Sequence, residues 1–250
     1  MGWRLRLVSG LTLMMAAAAV RADVDAPAVW ASRASTGIDA AAMPALPFDQ
    51  IDPALRSGMR AVLDAPTLSS HGPSETFNAS GDVYRWLLDH PDRAVQLWRL
   101  LGAKVADIVD RGDGVYVWRD DKGSEVRWHT AVRTHGLHVW YAEGKVKPGL
   151  LLPLTPFRCV AVMQYLEGKD TSGLPAVKHQ VHFRLKCDQG AMALATRILG
   201  ASAPRLAEQY LGQLQLFYGG MAWYLYKDEK RAQGMYRRIG LAVAATGSDR

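Results

Sequence analysis

Histidine and cysteine are the side chains of this chain best able to bind a metal or to act as nucleophiles. His129, His135 and His138 lie close together in sequence, and His179 and His182 form a second group. A zinc site needs three or four converging ligands, and neither spacing matches a recognisable zinc pattern. We therefore predict no metal site. We expect solvated or hydrogen-bonded histidines, with His129 and His182 on the outer faces of their strands.

Familiar catalytic and cofactor motifs are missing from the sequence. It contains no GxSxG, no HExxH, no glycine-rich phosphate loop and no CxxC. Asp110, Asp113, Asp120 and Asp121 cluster among glycines, where carboxylates more often serve turns than catalysis. No catalytic residue and no cofactor are predicted.

The first 22 residues are typical of an export signal. MGWRLR is basic, and LVSGLTLMMAAAAV is an apolar run of signal-peptide length that is short for a membrane span. Val20 and Ala22 fit a small-x-small cleavage site, so cleavage is predicted at about Ala22. An uncleaved N-terminal anchor is the alternative. We expect an exported protein, periplasmic or extracellular, that is soluble after cleavage and has no later integral membrane segment.

Composition and charge exclude some classes of protein. A chain of 250 residues that is 49% hydrophobic can bury a substantial core, and eight tryptophans and nine tyrosines indicate a well-packed body or an aromatic-lined cavity. The formal net charge of +6 falls to +3 when Arg4, Arg6 and Arg21 leave with the leader. Since no Lys/Arg cluster is interleaved with aromatic residues, no nucleic-acid partner is predicted.

The only two cysteines flank a predicted hairpin, Cys159 near its start and Cys187 near its end. Its middle, GKDTSGLP, is rich in turn formers, and the flanks alternate with period two as half-buried strands do. If residues whose numbers sum to 346 face each other, Tyr165 opposes Val181 and Cys159 opposes Cys187. In an oxidising compartment this register predicts a disulfide. Two buried thiols that pack as small apolar groups are the alternative.

Residues 23–72 are predicted to form an N-terminal extension with one short helix. DPALRSGMRAVLD indicates a helix at about 52–64, because Asp52 can cap it and Pro53 suits its first turn. PTLSSHGP, residues 66–73, then breaks the chain.

A strand over 74–80 precedes two short helices over 81–90 and 91–102. Candidate strands follow at 104–110, 114–120, 125–134, 137–143, 157–166 and 178–187. Alternation along the candidate strand 125–134 places Val126 and Val132 on one face.

The pattern after residue 188 becomes helical. Residues 190–200 predict a short helix, and 203–231 predict a long one whose apolar residues recur at spacings of three and four. Gly219 and Gly220 either permit close approach to the sheet or a kink, or are tolerated weak spots. Residues 232–250 are predicted to be a C-terminal tail.

The order of these elements resembles that of the START-like helix-grip superfamily. The resemblance rests on ETFNAS-GDVYRWLLDHPDRAVQLW followed later by the long helix, and it covers about residues 74–228. It implies an α+β fold in a domain at 74–231. That fold is a curved antiparallel β-sheet wrapped around a long C-terminal helix, with two short helices after the first strand. The leader, the extension and the hairpin cysteines distinguish this chain from cytosolic members of the superfamily.

The resemblance implies a cavity between sheet and helix, and nine residues are predicted to line it as a pocket for an apolar molecule. They are Tyr116, Trp118, Trp128, Met163, Tyr165, Phe183, Tyr210, Phe217 and Met221. The same side chains could instead close into a solid core.

Three classes of function remain open, because a fold does not determine a function. We favour an exported non-enzymatic binding or carrier protein for a lipid-like or other apolar small molecule. The first alternative is an envelope structural or interaction protein with a filled core, which would expose an apolar patch on helix 52–64 or on the connector at 147–156. The second is a cyclase- or hydrolase-like enzyme, which needs two or more titratable groups inside the cavity. A protein partner is not identified by the sequence.

Overall fold

The computed structural model describes residues 42–103, 105–147, 154–187 and 203–240, and in the last range it describes side chains from residue 211 onward. The predicted leader at 1–22, most of the connector at 147–156 and the predicted helix at 190–200 lie outside these residues.

The described chain begins with a helix, two short strands and two further helices. Their bounds are α1 Pro53–Asp64, β1 Leu68–His71, β2 Glu75–Asn78, α2 Gly81–Asp89 and α3 Pro91–Leu100. Helix α1 starts as predicted, since Asp52 Oδ1 accepts a hydrogen bond from Ala54 N at 2.8 Å. Strand β1 lies in the stretch predicted to break the chain. That prediction is wrong, because antiparallel pairing with the last strand satisfies the backbone there.

In the part of the chain that the structure describes, eight antiparallel strands form one curved sheet. The remaining strands are β3 Val109–Asp110, β4 Val115–Arg119, β5 Glu125–Thr134, β6 Leu137–Val146, β7 Thr155–Lys169 and β8 Pro175–Cys187. Their order across the sheet is β1-β8-β7-β6-β5-β4-β3, with β2 also paired to β8. From β3 to β8, consecutive strands are sheet neighbours, as a chain of hairpins requires.

Two helices complete the described chain, α4 Ala203–Lys227 and α5 Glu229–Arg238. The long helix ends at Lys227 and not at 231, because Asp228 caps α5 by accepting a hydrogen bond from Arg231 N at 3.0 Å. Helix α5 buries Ala232 and Met235, so this segment belongs to the fold and not to a tail. Within the described ranges, no helix is long and apolar enough to cross a membrane.

Helices cover both faces of the sheet, which creates two separate cores. The inner cluster lies between one face and α2 to α5, and the outer cluster lies between the opposite face and α1. The predicted α+β helix-grip fold is confirmed, with α4 as the long helix on the inner face.

The outer cluster shows that the outer face is not left to solvent. Met59 and Val62 of α1 are fully buried, together with Val160 and Val162 of β7. His182 lies on the outer side of β8 as predicted, yet it is buried as well. The apolar face of α1 is therefore buried within the molecule.

Two basic side chains of β8 hold the C-terminal end of α1. Lys186 Nζ donates to Ala61 O at 2.9 Å, and an Arg184 guanidinium nitrogen donates to Leu63 O at 2.8 Å. Carbonyls in the last turn of a helix lack intrahelical partners, and these donors satisfy two of them.

A β-bulge in β5 moves Val132 to the other face. The register with β6 shifts between Thr130 and Val132, which makes Ala131 the extra residue. Val126 and Trp128 lie in the inner cluster, whereas Val132 lies in the outer cluster. The predicted common face of Val126 and Val132 is wrong, because one extra residue reverses the alternation.

The predicted disulfide is not formed. Strands β7 and β8 pair two residues away from the predicted register, so Cys159 opposes Leu185 and Cys187 opposes Phe157. The cysteines are diagonal neighbours, whose Cα atoms are typically about 7–8 Å apart, beyond the usual disulfide range. Both remain thiols, and burial raises the pKa of Cys159 to about 12.

Helix α4 approaches the sheet closely at Gly219. A Cβ atom there would lie 2.9 Å from His179 Cε1 and 3.0 Å from Phe77 Cε1. The prediction that glycine permits close approach is confirmed at this position. At Gly220 the nearest atom belongs to Leu216 of the same helix, at 3.0 Å, so the sheet does not demand glycine there.

Candidate binding site

Aromatic rings form a band across the inner cluster. Trp140 of β6 stacks on Tyr218 of α4 with a centroid distance of 5.7 Å and an interplanar angle of 12°. Phe217 meets the edge of Tyr218 at 5.0 Å, and Tyr116 stacks on Trp128 at 5.7 Å. Helix and sheet thus meet through stacked aromatic rings.

Eight of the nine predicted lining residues lie in this inner cluster. They are Tyr116, Trp118, Trp128, Met163, Tyr165, Phe183, Phe217 and Met221. The side chain of Tyr210 lies outside the described side chains. These eight residues therefore lie on the inner face, as predicted. Their contact with a ligand stays a prediction.

Strand β6 adds two inner residues that the sequence analysis did not place there. His138 opposes Met163 and Trp140 opposes Ala161, so both lie on the inner face. Their rings are 4.4 Å apart between centroids. The signal was present in the sequence, because strict alternation along the predicted strand 137–143 puts residues 138 and 140 on one face. The histidines were expected to be solvated or hydrogen-bonded, and His138 is not solvated, because it is only 3% exposed.

Several buried polar atoms of the inner side have no hydrogen-bond partner in the described structure. They include Trp118 Nε1, Trp140 Nε1, His138 Nε2 and Asp92 Oδ1. Leaving a buried donor or acceptor unsatisfied costs about 1–3 kcal/mol, and native proteins contain few such atoms. The interior therefore combines aromatic faces with polar atoms that can still bond.

His138 is held neutral by its surroundings. Burial lowers its pKa to about 3, and the nearby Arg133 guanidinium lowers it as well. Its Nδ1 lies 3.6 Å from Asp89 Oδ1, and Arg133 Nε lies 3.2 Å from the same oxygen. Asp89 is fixed further through its backbone, because its carbonyl accepts a hydrogen bond from Tyr116 Oη at 2.6 Å.

Asp92 supplies a buried carboxyl at the start of α3. Burial raises its pKa, although the backbone N–H and the cation of Arg93 oppose that shift. Arg93 Nε lies 3.4 Å from Asp92 Oδ2. Burial raises the pKa of Tyr218, and Tyr116 and Asp92 raise it further.

A second buried histidine, His179, has both nitrogens satisfied. Its Nε2 lies 3.2 Å from Glu75 Oε2, and its Nδ1 lies 2.7 Å from the Tyr84 hydroxyl oxygen. Burial lowers its pKa, so a neutral ring donates Nε2–H to Glu75 and accepts the Tyr84 proton at Nδ1. This chain joins α2, β8 and β2 and is a structural connection.

The arrangement suits binding better than proton transfer. An enzyme was expected to need at least two titratable groups in the interior, and His138 and Asp92 are two such groups. However, a histidine with a pKa of about 3 is a weak base at neutral pH. Among the described residues, no three His, Cys, Asp or Glu side chains are grouped to hold a metal ion.

The comparisons with known proteins find matches to solved structures. No family model matches the sequence, and no curated protein matches it. A conserved protein from Geobacillus kaustophilus aligns with a TM-score of 0.39 and 12% identity, covering 61% of this chain and 96% of that chain. The di-domain ARO/CYC BexL aligns with a TM-score of 0.39 and 15% identity, covering 67% and 53%.

A truncated norcoclaurine synthase from Thalictrum flavum aligns with a TM-score of 0.33 and 15% identity, covering 61% of this chain and 95% of that one. Likenesses this remote carry nothing about activity. The strand order and the long helix define a helix-grip fold.

Proposed function

We propose that this protein is a non-enzymatic binding or carrier protein that holds an apolar small molecule between the inner face of the sheet and α4. The molecule would stack against the aromatic band and use a few polar groups for orientation. We also propose that the protein acts outside the cytoplasm, on the basis of the signal-like residues 1–22.

The observation that carries this proposal is the set of buried polar atoms that have no hydrogen-bond partner among the described residues, in an otherwise apolar and aromatic interior. Trp118, Trp140, His138 and Asp92 each contribute one such atom. In a permanently filled core each unsatisfied atom would lower the free energy of unfolding by about 1–3 kcal/mol. Specific binding sites combine mostly apolar walls with a few polar groups in this way.

The two alternative functions have weaker support. An interaction protein was expected to expose an apolar patch on helix 52–64, but Met59 and Val62 of that helix are buried. An enzyme would require an effective base, and His138 has a pKa of about 3. The connector at 147–156 lies mostly outside the described residues, so it supports neither alternative.

Titration with N-phenyl-1-naphthylamine, a neutral probe that fluoresces in apolar surroundings, tests the proposal. We expect a saturable rise in fluorescence with one site per chain. Met221 is fully buried on the inner side of α4, so Met221→Trp should fill space there and weaken binding by about tenfold or more. Native mass spectrometry with organic extraction would then identify any co-purifying molecule.

Leu216→Trp is the matched control, since Leu216 lies on the same helix but is 49% exposed. This variant should bind the probe as the original chain does, and near-UV circular dichroism should show that both variants are folded. Absence of saturable binding to the folded protein, or equal binding by Met221→Trp, would contradict the proposal.

A further inference from the structure

His138 and Trp140 form a matched pair of polar groups within the proposed binding site. They occupy successive inner positions of β6, each is 3% exposed, and their rings lie 4.4 Å apart between centroids with a 41° tilt. His138 Nε2 and Trp140 Nε1 are both buried without a hydrogen-bond partner in the described structure. Two neighbouring unpartnered atoms point to one shared ligand group.

The two nitrogens differ in hydrogen-bonding character. The indole Nε1–H of Trp140 can only donate. The Nδ1 atom of His138 faces Asp89 Oδ1 at 3.6 Å, and Arg133 Nε lies 3.2 Å from the same oxygen. A carboxylate only accepts hydrogen bonds, so it favours the tautomer with the proton on Nδ1 and leaves Nε2 as an acceptor. The lowered pKa of His138 supports a neutral ring.

We propose that His138 and Trp140 together bind one hydroxyl group of the ligand. The hydroxyl oxygen accepts the Trp140 Nε1 proton, and the hydroxyl proton is donated to His138 Nε2. The ligand class is therefore a hydroxylated apolar molecule, such as a phenol or an alicyclic alcohol. This inference rests on the proposed function and adds the chemical group that the site recognises.

The surroundings explain why a hydroxyl fits better than other oxygen groups. An ether or carbonyl oxygen can accept from Trp140 but offers His138 no proton. A hydrocarbon leaves both nitrogens unsatisfied, and sites built to bond a hydroxyl discriminate strongly against analogues that lack it. The cross-strand neighbours Met163 and Ala161 are apolar and supply no competing partner.

Three naphthalene probes of similar shape test this inference: 2-naphthol, 2-methoxynaphthalene and 2-methylnaphthalene. Displacement of N-phenyl-1-naphthylamine from the full chain gives their affinities. We expect 2-naphthol to bind about tenfold more tightly than the other two, or better. His138→Leu and Trp140→Phe should each reduce that preference to about threefold or less while 2-methylnaphthalene still binds.

Trp223→Phe is the control for loss of an indole. Trp223 is only partly buried on α4, beneath Lys227 Nζ at 4.8 Å from its ring centroid, so the preference for 2-naphthol should persist. Equal binding of the three probes by the original chain, or an unchanged preference in folded His138→Leu, would overturn the hydroxyl inference. In both cases apolar binding would still stand. Failure of every probe, including the reporter, would instead overturn the proposed function itself.

Discussion

At the scale of single residues, two buried histidines on the inner face have different environments. His179 has partners at both nitrogens, Tyr84 and Glu75, whereas His138 Nε2, beside Trp140, has no hydrogen-bond partner among the described residues. Burial lowers the pKa of both rings. A satisfied histidine serves the fold, and an unsatisfied one is available for a ligand.

The lowered pKa of His138 predicts a loss of stability in acid. An unfolded histidine titrates near 6.5, whereas the folded group has a pKa of about 3. The unfolded state therefore binds more protons below pH 6.5, and the free energy of unfolding falls as the pH drops from there toward 3. Between pH 7 and pH 5, His138 alone should account for a loss of roughly 2 kcal/mol.

Urea denaturation of the original chain and of His138→Leu at both pH values measures this contribution. Leucine does not titrate, so the variant should lose less stability between pH 7 and pH 5, by roughly 2 kcal/mol. His179 is unchanged in the variant and should continue to destabilise the fold in acid. An identical pH dependence in the two proteins would show that His138 is not buried as a neutral group.

At the scale of elements, the β7–β8 hairpin shows what alternation cannot decide. Its turn is closed by Asp170, whose Oδ1 accepts hydrogen bonds from Ser172 N and Leu174 N, and Gly173 adopts a φ of +79°. This turn sets a register two residues from the one predicted. Such a change keeps every side chain on its predicted face, so the apolar pattern agrees with both registers and only the turn separates them.

The contact between α4 and the sheet predicts opposite effects for two glycines of that helix. Gly219→Ala places a methyl group against His179 and Phe77 and should destabilise by about 1–3 kcal/mol. A methyl group at Gly212 would enter open space, with no neighbouring atom within 4 Å, so Gly212→Ala should stabilise by up to about 1 kcal/mol through helix propensity. Equilibrium denaturation of both variants measures the difference, and stabilisation by Gly219→Ala would refute the close contact.

At the scale of the whole molecule, the sheet is covered on both sides. The sequence predicted the inner helices, but it assigned α1 to an extension. In the structure α1 closes the outer cluster, and Ile51, Met59 and Val62 are almost completely buried there. The extension is therefore part of the folded unit. A sheet whose outer face is apolar must be covered by another element, and α1 covers it.

This coverage predicts unequal effects of two N-terminal truncations. A chain that begins at residue 42 keeps the outer cluster and should melt at a higher temperature than one that begins at residue 66. A chain that begins at residue 66 exposes Val160 and Val162 and loses the burial of Met59 and Val62, at about 1.5–3 kcal/mol for each lost side chain. Thermal melts and binding of a hydrophobic dye would compare them. Equal melting temperatures would mean that α1 contributes little.

The sequence by itself determined the local elements and most of their faces. Period-two alternation put Tyr116, Trp118 and Trp128 on one face, which the helix-grip resemblance identified as the inner one, and Asp52 and Pro53 marked the start of α1. These features depend on neighbours in the chain, so composition and spacing are enough to predict them.

Only the tertiary structure decided the hairpin register, the bulge at Ala131, the outer position of α1 and the burial of His138 beside Asp89. Each depends on contacts between residues distant in sequence or on the exact path of a turn. Histidine is the clearest case, since it is common both in solvent and in cores, and only its neighbours settle its protonation and its partners.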